Sequence, residues 1–226
     1  AAFQPAIRKW GYSTHYTRLL DTGGTIFSDT LLGIKYVIGG TELSNLLFEN
    51  ISEYDGTRDI HYYLYKNKYD IPLISYIADN LEELSDNDLF RNQNIIFRAV
   101  TGASEDLIKG YIDIKADEST IVEVENKKVL YMYSEGNPSM QDVNNRNYPS
   151  NFNNNLIYLG CFENQTVTID FANVQNVNGI HLGLLDVELF EKGIEKINNE
   201  LRQNTKISRN NTGVKIELNS SREGYI

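Results

Sequence analysis

The chain carries one cysteine, Cys161, and that scarcity closes off two kinds of chemistry. A lone thiol cannot form an intramolecular disulfide, and a cysteine-based zinc site needs more than one sulfur. Its setting, Leu159-Gly160-Cys161-Phe162, is that of a small buried hydrophobe. Histidine is nearly as scarce. His15, His61 and His181 lie far apart, share no metal-binding spacing, and offer Cys161 no local base. No metal and no cofactor is expected. Basic residues are in deficit: 21 Lys and Arg stand against 31 Asp and Glu, a net charge of −10. That balance argues against nucleic acid, whose phosphates need Lys/Arg clusters, and against docking on anionic lipid head groups. Long apolar runs are also missing, since no window approaches the ~18 residues of a membrane span. The start, Ala1-Ala2-Phe3-Gln4, has neither the basic nor the apolar region of a signal peptide.

What remains is ordinary globular material. With 226 residues, 41% hydrophobic and 23% charged, the chain can bury a substantial core. The texture changes near residue 110. Before it, strand-like runs at Ile34–Ile38, His61–Tyr65 and Leu73–Ala78 mix with one helical segment, and Lys66–Pro72 reads as a turn. The run from Ser28 to Ile38, interrupted by Gly33, reads as a short buried strand after a turn. Asp86-Asn87-Asp88 supplies caps for a helix from about Asp88 to Val100, and Gly102 is its stop. Leu89, Ile96, Phe97 and Val100 form its apolar face. Gln93 falls in the middle of that face and Asn94 at its edge, so Gln93 is expected to be buried and hydrogen-bonded. Its partners are expected around Ser28–Tyr36 or Tyr65–Pro72.

After residue 110 the pattern alternates. Tyr111–Lys115, Val129–Tyr133, Ile157–Phe162, Thr166–Phe171, Gly179–Leu185 and Val214–Leu218 read as strands. One amphipathic helix, about 187–203, interrupts them, with Phe190, Ile194, Ile197 and Leu201 on one face and Asp186 as its N-cap. The fold class is therefore α+β and β-rich. An N-terminal mixed α/β subdomain, residues 1–108, is expected to pack on a C-terminal β-sandwich of jelly-roll type, residues 109–226. The Asn-, Ser- and Pro-rich stretch Gly136–Asn155 is a long polar excursion between two strands, of the kind that is often functional or mobile, and Asn153-Asn154-Asn155 within it reads as a solvated turn.

Aromatic residues are the richest chemical feature: 15 Tyr and 9 Phe beside one Trp. Flat aromatic faces flanked by Asn, Asp and Gln bind sugars. Tyr62, Tyr63, Tyr65, Tyr69 and Tyr76, however, lie on strand-like runs where β-propensity alone favours Tyr, so sheet packing is the leading reading. Trp10 is the best single candidate for an exposed stacking residue. Ser85-Asp86-Asn87-Asp88 lacks the Gly and Glu of a calcium loop and reads as a helix cap. Gly23-Gly24-Thr25 and Gly39-Gly40-Thr41 read as turns, not phosphate loops. Carboxylate pairs such as Glu123/Glu125 are expected by chance among 31 acidic residues, and no general acid and base stand out.

Four segments together resemble one family. They are Ser28-Asp29-Thr30-Leu31-Leu32-Gly33-Ile34-Lys35-Tyr36, Tyr65–Leu73, Phe90-Arg91-Asn92-Gln93-Asn94 with Thr101-Gly102, and Leu156-Ile157-Tyr158-Leu159-Gly160. In order and spacing they resemble the large extracytoplasmic region of the YfhO family of bacterial polytopic membrane proteins, over roughly residues 10 to 226. One departure is Lys66, where the family usually has Glu. The resemblance implies a piece of a larger protein, anchored in the bacterial cell membrane by flanking helices absent from this chain. It implies a parent that is a lipid-sugar-dependent glycosyltransferase of the GT-C class, acting on teichoic acids. The catalytic acid of that class sits in an earlier loop, so no catalytic residue carries over and no turnover is expected of this chain alone. The domain is then expected to position a cell-envelope glycan or teichoic-acid acceptor. Candidate ligand-binding residues on the matching motifs are Asp29, Lys35, Tyr36, Asn67, Gln93 and Asn94. Local basic patches, Lys66/Lys68 or Lys127/Lys128, would meet an anionic acceptor. The alternatives are a free-standing carbohydrate-binding or adhesion module and a secreted glycosidase.

Overall fold

The structure is a computed structural model that describes residues 9–10, 13–15, 18–20, 24–40, 42–56, 61–69, 71, 77–78, 84, 88–114, 119–134, 156–170, 180–210, 213–218 and 224–225. In chain order the elements begin β1 (Ser13–His15), β2 (Arg18–Leu20), α1 (Ile26–Leu31), β3 (Tyr36–Gly39), β4 (Phe48–Asp55), β5 (His61–Asn67) and β6 (Ile77–Ala78). They continue α2 (Leu89–Thr101), β7 (Ile108–Ile114), β8 (Ser119–Ser134), β9 (Ile157–Asp170), β10 (Ile180–Asp186), α3 (Val187–Asn204), β11 (Thr205–Asn210), β12 (Gly213–Leu218) and β13 (Gly224–Tyr225). The fold is α+β and rich in antiparallel strands. Two sheets dominate: a four-stranded one in the order β7-β10-β8-β9 and a three-stranded one in the order β3-β5-β4.

Helix α2 organises the core. Asp88 caps it by accepting from the Arg91 N–H at 2.9 Å, and Gly102 ends it in the left-handed region at φ 67°. Sequence periodicity predicts one apolar face. The structure buries nearly the whole helix, leaving mainly Arg91 and Arg98 toward solvent. Three consecutive amides, Asn92, Gln93 and Asn94, are buried with it. Helix α3 crosses α2 closely at Gly193, where a Cβ would stand 2.5 Å from the Phe97 ring. Only hydrogen fits there, and the gap lets Phe97, Phe190, Ile194 and Ile197 share one cluster. As expected, Asp186 caps α3, accepting from the Leu189 N–H at 3.0 Å.

That main cluster lies between the helices, the inner face of β3-β5-β4 and the helix-facing side of the larger sheet. Its members run from Ile26 to Ile197, on both sides of residue 108. Val129, Tyr131 and Tyr133 of β8 face it, while Leu130 on the same strand faces the opposite way. The opposite face is closed by the sheet's own ribbon. The sequence predicts separate strands at Ile157–Phe162 and Thr166–Phe171. They are one strand, β9, paired with β8 along their joint length. Asn126 and Asn164 take left-handed conformations, φ 58° and 48°, where the ladder shifts register between Val124 and Lys127. The distal ribbon bends there, and Val122 and Val124 join Leu130, Ile180, Leu182 and Leu184 in a second cluster. The layer expected from a second sheet is thus supplied by a folded hairpin, and no jelly-roll strand order is present among the described residues.

One local expectation is overturned. The run beginning at Ser28 is predicted as a strand, but Ile26–Leu31 is helical, and the strand begins only at Tyr36. The Thr25 hydroxyl accepts from the Ser28 N–H at 3.1 Å, and Gly33 at φ 69° turns the chain out of the helix. A short apolar run has no periodicity that separates strand from helix, and here the cap and the glycine decided. The expected strand residues 73–76, the candidate caps 85–87 and the polar stretch 136–155 lie outside the described residues.

Candidate functional site

The six residues singled out by the motifs divide sharply. Asn67 is 3% exposed, and its amide is engaged at both ends: Nδ2 donates to Thr30 Oγ1 at 3.1 Å and Ile34 O at 3.3 Å, while Oδ1 accepts from the Tyr69 N–H at 2.9 Å. Gln93 is 1% exposed and is held by Thr25 Oγ1, which donates to Oε1 at 2.8 Å, and by Trp10 O, which accepts from Nε2 at 2.8 Å. Burial and bonding match the expectation. The partners do not: Thr25 lies just before the predicted segment and Trp10 well outside it. Asn94 clamps the Ile108 peptide. Asp29 is buried in α1, close enough to Tyr131 that its charge helps to hold the phenol proton. Buried amides survive only when their donors and acceptors are met, and these are met by the fold itself. Lys35 and Tyr36 are different: both are exposed.

The tyrosines divide in the same way. Three hydroxyls accept from backbone N–H groups: Tyr131 from Ile26 at the start of α1 at 2.9 Å, and, in the loop after β3, Tyr65 from Leu43 at 3.0 Å and Tyr158 from Ser44 at 3.3 Å. The Tyr131 and Tyr65 rings fill the core and the half-buried Tyr158 ring packs against it, while each oxygen satisfies a backbone donor. Burial pushes the Tyr158 hydroxyl up to about 12 and that of Tyr131 well above its ordinary value. Cys161 lies beside them, half-buried, its thiol pushed up by burial. A thiol so held is poor in thiolate at neutral pH. Trp10 also packs against the core, and its backbone carbonyl accepts from the Gln93 amide.

A second group of aromatics faces outward. Strand alternation on β3-β5-β4 sends Val37, Tyr63 and Tyr65 inward, so Tyr36, Ile38, Tyr62, Leu64 and Tyr54 share the outer face. Tyr36 is 55% exposed, Ile38 63% and Tyr54 50%. Tyr54 stands opposite Tyr62 with ring centroids 5.2 Å apart and planes 16° from parallel. Lys66 borders the patch, paired with Glu49 at 3.5 Å. Sequence reading missed Tyr54 because β4 has no clean alternation: a bulge at Ile51 shifts its register against β5. Of the expected basic patches, Lys68 is tied to Asn45 O and Lys128 to Asp186.

At the hairpin end of this sheet His61 sits between two carboxylates, Nδ1 at 2.8 Å from Asp55 and Nε2 at 3.3 Å from Glu53. The bond to Asp55 is the main reason its pKa is raised. Among the described residues no group of His, Cys, Asp or Glu is arranged to hold a metal ion, and no helix is long and apolar enough to cross a membrane. Comparison with protein-family models, with curated proteins and with solved structures returned no match.

Proposed function

We propose that the chain is a binding module, and that the outer face of β3-β5-β4 is where a glycan lies. The observation that carries this reading is the stacked pair Tyr54 and Tyr62, their ring planes nearly parallel, beside the exposed Tyr36 and Ile38. Strands about 4.8 Å apart give three of them a platform roughly 10 Å across, the scale of one or two sugar rings. Tyrosine suits such a surface: its ring offers an apolar face and its hydroxyl a polar rim. Lys66 and Glu49 at the border supply hydrogen-bonding groups for hydroxyls. The motif resemblance supports reading the module as the extracytoplasmic part of a YfhO-like bacterial membrane protein. There it would position a glycan or teichoic-acid acceptor for lipid-sugar-dependent transfer by the membrane portion. Weak affinity suffices, because tethering near an active site supplies a high effective concentration.

The test is a titration of the isotopically labelled chain with cell-envelope glycans and with teichoic-acid oligomers. Amide shifts should gather on β3, β4 and β5, and Tyr54→Ala and Tyr36→Ala should each abolish most of the response while leaving the spectrum folded. No shifts on β3, β4 and β5, or shifts there that survive both substitutions, overturn the reading.

A further inference from the structure

A cleft of about 820 Å³ opens between α2 and the β7-β10-β8 end of the large sheet. Its basic lining is out of keeping with the chain. Overall 31 acidic residues outnumber 21 basic ones, yet here Arg91, Arg98 and Lys109 face two carboxylates, Asp88 and Asp106, and His181 adds a fourth nitrogen group. The four come from three elements. Arg91 and Arg98 stand seven residues apart on one face of α2, about 10 Å along its axis. Lys109 follows Ile108, whose peptide is fixed by Asn94. His181 projects from β10 and is held flat on Tyr133, centroids 4.5 Å apart and planes 9° from parallel. Phe90 packs against Tyr133 in a T-shaped contact, centroids 4.8 Å apart.

We infer that this cleft binds a phosphate ester of a polyol or sugar. A carboxylate offers two coplanar oxygens and satisfies one guanidinium. A phosphate offers oxygens in three directions, which suits donors arriving from a helix and two strands. In a cleft of this volume the spacing of the arginines leaves room for an esterified group beyond the phosphate. Asp106 already pairs with Arg98, so it competes with the ligand for that guanidinium. This site is separate from the tyrosine face and stands without it.

The 226-residue chain would be titrated with inorganic phosphate, glycerol 3-phosphate, acetate and glycerol, followed by the amide resonances of Lys109 and Gly110. Glycerol 3-phosphate should bind more tightly than inorganic phosphate, acetate should bind at least tenfold more weakly, and glycerol should leave the resonances unmoved. Arg91→Gln and Lys109→Gln change exposed side chains and should each weaken binding by about threefold to fivefold, the order expected of one partly screened charge pair. Asp106→Asn should strengthen binding by a similar factor, a gain that misfolding cannot mimic. Tyr54→Ala should leave it unchanged. Equal response to acetate, no response to glycerol 3-phosphate at millimolar concentration, or indifference to Arg91, Lys109 and Asp106 substitutions would each overturn the assignment.

Discussion

The Asn94 side chain grips the Ile108 peptide by both edges: Nδ2 donates to Ile108 O at 2.8 Å, and the Ile108 N–H donates to Oδ1 at 2.7 Å. The amide of one residue thereby stands in for a neighbouring strand and fixes where β7 begins against α2. Asn94→Leu would leave both backbone groups unpaired in the core. A loss of about 2–6 kcal/mol is expected, from two buried groups each costing ~1–3 kcal/mol. Asn94→Asp keeps the acceptor and loses the donor, so it should fall between. Urea unfolding measures both, and a Leu variant within ~0.5 kcal/mol of the parent would contradict the role.

Gln93 joins α2 to the cap of α1 through Thr25 and to the N-terminal segment through Trp10. Gln93→Leu should cost roughly 1–3 kcal/mol through the partners it strands. Thr25→Val removes the donor to Gln93 and the cap of α1 together. If the two residues act as a unit, the double variant loses less than the sum of the singles, by at least ~0.5 kcal/mol. Strict additivity in a double-mutant cycle would show that the 2.8 Å bond contributes nothing to stability.

Gly193 tests the closeness of the helix crossing. In an open helix position, Ala in place of Gly gains about 1 kcal/mol from propensity. Here the added methyl would meet Phe97 at 2.5 Å and Thr101 at 3.0 Å, and Phe97 is fully buried. Overpacking of that kind costs about 1–3 kcal/mol, so Gly193→Ala should be net destabilising. A raised melting temperature would mean that α3 can move away from α2 freely.

Asp186 carries a pH dependence. Burial alone would raise its pKa, but Lys128 and the N–H groups at the start of α3 outweigh it, so the carboxyl lies below its ordinary value. A depressed folded pKa contributes stability that is present above the unfolded value near 4 and is lost as pH falls through the lower folded value. Asp186→Ala should cost about 1 kcal/mol at neutral pH through the lost cap. The gap between parent and variant should close as pH falls below about 4. A gap that persists unchanged to pH 2 would show that Asp186 acts through something other than its charge.

His61 titrates with the opposite sign. Its pKa is raised, first by the bond to Asp55, so the favourable pairing is complete below the unfolded value near 6.5 and is lost as pH rises through the higher folded value. Following the imidazole resonances against pH should give a midpoint above the ordinary histidine value. Asp55→Asn should bring it down, and Glu53→Gln should bring it down less. No movement on Asp55→Asn would remove the pairing as the cause.

Local sequence determined a good deal of this molecule. Asp88 and Gly102 bound α2, and Asp186 starts α3, because caps act on the nearest turn of backbone and need no distant partner. The α+β, β-rich class follows from alternation within single strands. The burial of Gln93 was legible too, since a polar residue inside an apolar stripe goes inward with it. What the sequence left open depends on distance along the chain. Only packing revealed that Gln93 bonds to Trp10, 83 residues away, and that Asn94 clamps Ile108. The helix at Ile26–Leu31 was misread because its burial on every side erases the period that marks a helix. The bend that lays Val122 and Val124 over Leu184 rests on two left-handed asparagines facing each other across a ladder, and neither signals the other in sequence. The candidate sites divide along the same line. Tyr54 meets Tyr62 only through sheet register, and Arg91, Lys109 and His181 meet only because α2 packs beside β7 and β10, so their shared chemistry exists in the tertiary structure alone.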